Sequence, residues 1–211
     1  MQKHRILLVD DHEIVRTGLR QLLELEPDME LAGEAATSAD ALARLRQADC
    51  DLVLLDIALP DRSGADTLKL IRGAYPDLPV LVLSTYPEEQ YAINLLRAGA
   101  SGYVRKDAPG GEIVRAIRQV LQSGRYISPA VSEMLVSQLR PDATRPLHQD
   151  LSEREFQVLC KIAAGRTVSQ IAAELFISVK TVSTYRSRVL EKLGMRSNAE
   201  LTHYAVKNGL V

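Results

Sequence analysis

The chain predicts two domains of different class: an α/β domain on a five-stranded, doubly wound parallel sheet, then a smaller all-α domain of four helices. Three observations point there. Over residues 1–124, short apolar runs of strand length alternate five times with stretches whose apolar residues recur at helical spacing. The central runs are apolar on both faces, as parallel strands buried between helix layers must be. From residue 151 onward the strand signal stops and helix punctuation takes over. With 211 residues, 46% of them hydrophobic, the chain can supply a core to each domain.

In order, "RILLV", "ELAGE", "DLVLL", "PVLVLS" and "GYVRK" are the strands. "VRTGLRQLLEL", "ADALARLRQ", "ADTLKLIRGA", "EQYAINLLRAG" and "GEIVRAIRQVLQSG" are the helices between and after them. Parallel strands need such crossovers, which are right-handed and place helices on both faces. "SPAVSEMLVSQL" forms one further helix, and "RPDATRPLHQD", with two prolines, breaks the periodicity. This divides the chain into a first domain (1–124), a linker helix with a flexible linker (125–150) and a second domain (151–211).

The second domain is defined by its caps. Ser152 and Glu155 form a capping box with Leu151 and Phe156 as the hydrophobic staple, and Thr167 with Gln170 repeats the box. Gly165 ends the first helix, Ser178 caps the third and Gly194 ends it. A fourth runs from about Ser197 to Lys207.

Charge divides along the same boundary. Residues 1–124 carry 14 Lys/Arg against 19 Asp/Glu, a net of −5; residues 125–211 carry 12 against 8, a net of +4. An acidic domain joined to a basic one suggests that the second meets nucleic acid. The apolar run Ile6–Val9 is too short for a signal-peptide core, and no window approaches a membrane span. A cytoplasmic protein with two reduced thiols, Cys50 and Cys160, is expected. His4, His12, His148 and His203 show no metal-ligand spacing.

In a doubly wound sheet, ligands bind beyond the carboxyl ends of the strands, where the connections diverge. Asp10 and Asp11 end the first strand, Asp56 the third and Ser84 the fourth, and Lys106 follows the fifth. With the strand order 2-1-3-4-5, the first and third strands are neighbours and three carboxylates converge. Three anions together need a cation, and oxygen ligands with room for water suit Mg²⁺. A carboxylate beside Mg²⁺ can attack phosphorus and form an aspartyl phosphate. Lys106 would spread the charge of the transferring group and Ser84 would take up one of its oxygens. Taken singly, Asp10 and Asp11 read as an acidic turn, Ser84 as a strand-end cap and Lys106 as a solvated charge. Their joint placement favours the site.

Residues 5–124 resemble a response-regulator receiver domain, a flavodoxin-like fold, through "LLVDDHEIVRTGL", "DLVLLDIALPDRSG", "VLVLST" and "RAGASGYVRKD". The resemblance implies that Asp56 is the phosphoacceptor and that Asp10, Asp11, Asp56 and the Ala58 backbone carbonyl hold the metal. It makes Lys106 the family's lysine, Ser84 the hydroxyl switch and Tyr103 the rotating aromatic; the plain alternative for Tyr103 is a core ring with its hydroxyl at the surface. Asp107 stands where many receivers have proline, as it often does in the NarL/FixJ-type branch. Ala58 and Tyr86 fall where the family tunes phosphoryl lifetime, and the Tyr86 ring is expected to shield the acyl phosphate from water.

Residues 151–211 resemble the LuxR-type helix-turn-helix of NarL/FixJ-type regulators, and "KTVSTYRSRVLEKL" with "AELTHYAVKNGLV" is similar to the GacA/UvrY-like branch. On the third helix Val182, Val189 and Leu193 form an apolar stripe, and Lys180, Ser183, Thr184, Ser187 and Arg188 lie roughly opposite, where a recognition helix meets the major groove. Lys180 and Arg188 suit phosphates; Ser183, Thr184 and Ser187 suit base edges. The resemblance adds Thr181. Arg186 falls nearer the stripe, which suits a structural role. Tyr185 replaces a histidine common in the family, and the serines imply readout through water and DNA shape.

The function expected is a DNA-binding transcriptional response regulator, phosphorylated on Asp56 by a sensor histidine kinase and dimeric when active. Two rivals remain. A phosphatase of the haloacid dehalogenase type needs a second acid two residues past the nucleophile, and Ala58 occupies that place. A regulator that binds DNA without phosphorylation is the other.

Overall fold

The computed structural model describes residues 3–47, 49–86, 88–138 and 146–211, and the chain divides into two compact units, Met1–Ala143 and Thr144–Val211. In the first unit β1 (His4–Val9), β2 (Met29–Ala35), β3 (Leu52–Asp56), β4 (Val80–Ser84) and β5 (Gly102–Arg105) form one parallel sheet in the order β2-β1-β3-β4-β5. The helices α1 (Glu13–Glu24), α2 (Ser38–Leu45), α3 (Gly64–Ala74), α4 (Glu88–Arg97) and α5 (Gly110–Ser123) follow the strands in turn.

The sheet forms around inner strands that have nowhere polar to face. Leu52, Val53, Leu54 and Leu55 of β3 are all buried. Ile6, Leu8, Leu54, Leu83 and Val104 cluster with Leu19 and Leu23 of α1 and Ile113 and Ile117 of α5, while the alternate residues Leu7, Val9, Val53 and Leu55 are buried on the opposite face. Each fully buried leucine contributes roughly 1.5–3 kcal/mol. The chain leaves β1 toward β2 on one side and crosses back to β3 on the other, so the crevice between β1 and β3 is the switch point at which doubly wound sheets bind ligands.

The helix α6 (Pro129–Gln138) packs against α4 within this unit. Val131 is buried, and the Ser128 hydroxyl accepts the Val131 N–H at 3.2 Å while donating to the Glu88 carboxylate. Tyr126 lies across the start of β5: a methyl at Gly102 would meet the Tyr126 carbonyl at 2.8 Å. The helix expected in the linker is therefore docked on the first domain.

The second unit holds a short 3-10 turn (Leu147–Asp150), then α7 (Glu153–Ala163), α8 (Val168–Glu174), α9 (Val179–Leu193) and α10 (Asn198–Lys207). Both capping boxes are complete, Ser178 caps α9, and Gly194 closes it in the left-handed conformation. Phe156, Leu159, Ile171, Val182, Val189, Leu193 and Leu201 are buried. Of the linker expected over residues 140–150, residues 140–145 lie outside those described. Residues 147–150 join the helical unit: the Tyr204 hydroxyl accepts the His148 N–H at 3.1 Å and lies 2.9 Å from its Nδ1. That tie spans 56 residues, so local composition could not show it.

Candidate functional site

Each polar group expected at the sheet edge arrives on a strand end. Asp10 follows β1, Asp56 ends β3, Ser84 ends β4, and Lys106 follows β5. Asp56 is 1% exposed and Asp10 2%, yet both carboxylates meet one cation: Lys106 Nζ lies 2.7 Å from Asp56 Oδ2 and 2.6 Å from Asp10 Oδ2. The Lys106 side chain is 7% exposed, which replaces the solvated-charge reading with a buried ion triad. Burial pushes the Asp56 carboxyl above its ordinary pKa, and the Lys106 ammonium pulls it back. Asp56 Oδ1 accepts the Ala58 N–H at 3.1 Å.

Asp10, Asp11, His12 and Asp56 each bring a potential ligand atom within 4.8 Å of the others. Three of the four donors are carboxylates, a set that fits a hard divalent cation. His12, set aside on sequence spacing, lies in this cluster; its Nδ1 is 2.8 Å from Asp11 Oδ1 and 3.3 Å from Asp10 Oδ1. Spacing rules look for pairs on one helix, whereas His12 stands in the loop before α1.

Ser84 Oγ accepts the Tyr86 N–H at 3.0 Å, so in this conformation the hydroxyl does cap the strand end. The Tyr103 ring is buried and its hydroxyl donates to the Tyr86 carbonyl at 2.7 Å, in place of the surface position that a plain core ring would give it. The Tyr86 ring packs against Tyr91 at a tilt of 34°, with centroids 4.9 Å apart.

The loop after Asp56 is held by residues that sequence reasoning passed over. The Asp61 carboxylate accepts the Ser38 N–H at 2.9 Å and the Ala39 N–H at 3.0 Å, fastening the loop to the start of α2. Gly64 donates its N–H to the Ile57 carbonyl at 2.9 Å and lies so close that a methyl there would sit 2.2 Å from Ile57 Cα. On α1, Arg16 donates to the Asp10 carbonyl at 2.6 Å. A cavity of about 600 Å³, lined by His4, Asp51, Arg72 and Arg125 among others, opens at the opposite ends of the strands.

In the helical unit, α9 buries Val182, Val189 and Leu193 and exposes Lys180, Ser183, Thr184, Ser187 and Arg188, with Thr181 half-buried. The three hydroxyls back-bond along the helix, Ser183 to the Val179 carbonyl, Thr184 to that of Lys180 and Ser187 to that of Ser183, each at 3.0 Å. Their oxygens remain able to accept. Arg186 Nε donates to Asn198 Oδ1 at 2.5 Å and ties α9 to α10. Lys192 binds the Glu155 carboxylate at 2.7 Å and the Asp150 carbonyl at 3.1 Å, fixing α9 to the capping box of α7.

A receiver-like sheet with an acid crevice, joined to a helix-turn-helix unit, defines the class of DNA-binding two-component response regulators. The sequence pattern of the response regulator receiver domain matches residues 6–118, and that of the bacterial regulatory proteins of the luxR family matches residues 149–205. The chain belongs to the NarL/FixJ family of these regulators. It is 37% identical to the response regulator UvrY of Escherichia coli K12 over 206 residues, 97% of this chain and 94% of that protein. It is also 37% identical to the response regulator GacA of Pseudomonas aeruginosa over 208 residues, 98% of this chain and 97% of that one. Among solved structures it is similar to RcsB of Salmonella enterica serovar Typhimurium bound to promoter rprA in the presence of the phosphomimetic BeF₃⁻ (TM-score 0.67, 26% identity, 96% of this chain and 98% of that one). Among the described residues no helix is long and apolar enough to cross a membrane.

Proposed function

We propose that this regulator takes a phosphoryl group on Asp56 from a sensor histidine kinase and that the modified receiver promotes dimerisation and binding of α9 in the DNA major groove. The observation that carries this is the meeting of Asp56, Asp10 and Lys106 in one buried crevice. A carboxylate oxygen of Asp56 attacks phosphorus, the P–N bond of the donor phosphohistidine breaks, and the imidazole leaves with the electron pair. Attack needs Asp56 ionised, and Lys106 opposes the effect of burial on it. Asp10 and Asp11, with Asp56 and the Ala58 carbonyl, are the residues that would hold Mg²⁺, which when bound would neutralise charge on the phosphoryl oxygens. Lys106 and the Ser84 hydroxyl would receive those oxygens, and Ser84 would then release Tyr86.

Displacing the Tyr86 segment would break the hydrogen bond from the Tyr103 hydroxyl to the Tyr86 carbonyl. On α9, Lys180, Thr181 and Arg188 would contact phosphates and Ser183, Thr184 and Ser187 base edges. The RcsB structure on promoter DNA is consistent with this reading. Cytoplasmic operation follows from the DNA target.

A beryllofluoride titration with Mg²⁺, followed by light scattering and DNA affinity, tests the proposal. The expected result is dimerisation and tighter DNA binding in the wild type and neither in Asp56→Ala. An identical response of the two would establish the phosphorylation-independent alternative.

A further inference from the structure

Arg16 reaches the site through the backbone of Asp10. Its Nη1 donates to the Asp10 carbonyl at 2.6 Å and its Nε to Glu34 Oε2 at 3.2 Å, while Glu34 Oε1 takes Arg20 Nη1 at 3.0 Å. The Arg16 and Glu34 side chains are only 17% and 24% exposed, which shields the pair from solvent. On its other side, the Asp10 N–H donates to the Ala35 carbonyl at 3.0 Å. The acid is thus held from both sides, by β2 through its N–H and by α1 through its carbonyl. That carbonyl lies in the peptide plane carrying the Asp11 nitrogen, so fixing it orients Asp11 as well.

We infer that Arg16 is a positioning residue for the cation site, locking the Asp10–Asp11 peptide so that both carboxylates present their oxygens together. This rests on the reading of Asp10, Asp11 and Asp56 as the Mg²⁺ ligands. Groups that orient metal ligands from outside the coordination sphere typically govern about 10–100-fold in affinity. A purely electrostatic role has the opposite sign. A guanidinium near the site repels Mg²⁺, so losing only its charge would tighten binding, whereas losing its hydrogen bond would weaken it.

Calorimetric titration of Mg²⁺ into the full chain separates the two. Arg16→Gln is expected to raise the Mg²⁺ Kd about tenfold or more, Arg16→Lys to fall between it and the wild type, and the thermal midpoint in EDTA to change little. Binding by Arg16→Gln as tight as the wild type, or tighter, would overturn the inference. Should Arg16→Gln fail to fold, Arg16→Lys decides: it keeps the charge but not the guanidinium fork that holds the Asp10 carbonyl, and weakened Mg²⁺ binding supports the role while unchanged binding overturns it. A wild type that binds no Mg²⁺ also overturns it. A wild type that binds Mg²⁺ yet ignores beryllofluoride defeats the phosphoacceptor reading and leaves the Arg16 result standing.

Discussion

Gly64→Ala should damage the acid crevice without replacing any of its polar side chains. The added methyl carbon would stand 2.2 Å from Ile57 Cα and 2.6 Å from the Asp56 carbonyl oxygen. Ordinary contact begins near 3.4 Å, so the loop or the strand end must yield by about 1.2 Å. Both obstacles are backbone, and the Asp56 side chain is gripped by Lys106 and the Ala58 N–H. No rotamer change can absorb the overlap. Overpacking of this kind costs roughly 1–3 kcal/mol, and a displacement near 1 Å at a reacting group can cost on the order of 10²-fold in rate. The assay is uptake of phosphate from acetyl phosphate in Mg²⁺, with thermal unfolding in parallel. We expect the midpoint to drop by about 3–8 °C and the rate to fall at least tenfold. A variant within about 0.5 kcal/mol of the wild type in stability and phosphorylated at the same rate would refute the reasoning.

Lys106→Ala leaves two buried carboxylates without their ammonium; unfolding should show a loss of about 3 kcal/mol, partly restored by excess Mg²⁺. The Arg118 guanidinium holds Asp28 down to a pKa of about 2 from 3.8. This stability is present above pH 4 and lost as pH falls toward 2; with Arg118 39% exposed, solvent screening leaves about 1 kcal/mol to separate Arg118→Ala from the wild type at pH 7 but not at pH 2. Lys180→Ala should weaken binding of all DNA sequences and shrink the slope of log K against log salt by about 0.9, whereas Arg186→Ala, which unties α9 from Asn198, should show first as a lower thermal midpoint of the helical unit. Tyr86→Ala should shorten the acyl-phosphate lifetime; an unchanged autodephosphorylation rate would dismiss the shielding role.

The sheet and its acids were legible for the same reason. Apolar runs such as Leu52–Leu55 can only be interior strands, and an ionised residue at the end of one must emerge at the edge where ligands bind. The caps of α7, α8 and α9 were legible because capping chemistry is local. What escaped is what joins distant segments. Asp61 to Ser38 spans 23 residues and Arg16 to Glu34 spans 18, and in each case the sequence offers an ordinary surface charge. His12 escaped although its contacts Asp10 and Asp11 directly precede it, because no ligand spacing marks a loop histidine; of the cluster only Asp56 arrives through the pairing of β1 with β3. Lys106 taken alone reads as a solvated charge, since its acids lie 50 and 96 positions away, and only its joint placement with them at the strand ends pointed to the site.

The seat of α6 on α4 bears on how such proteins can be cut and recombined. A receiver severed after Gly124 would lose Tyr126 and Val131, uncover the apolar surface they fill, and strip Glu88 of its partner at Ser128. A receiver ending beyond Gln138 keeps that surface covered. Chimeras that exchange output domains should therefore be spliced after α6, with the helix travelling as part of the sensor half.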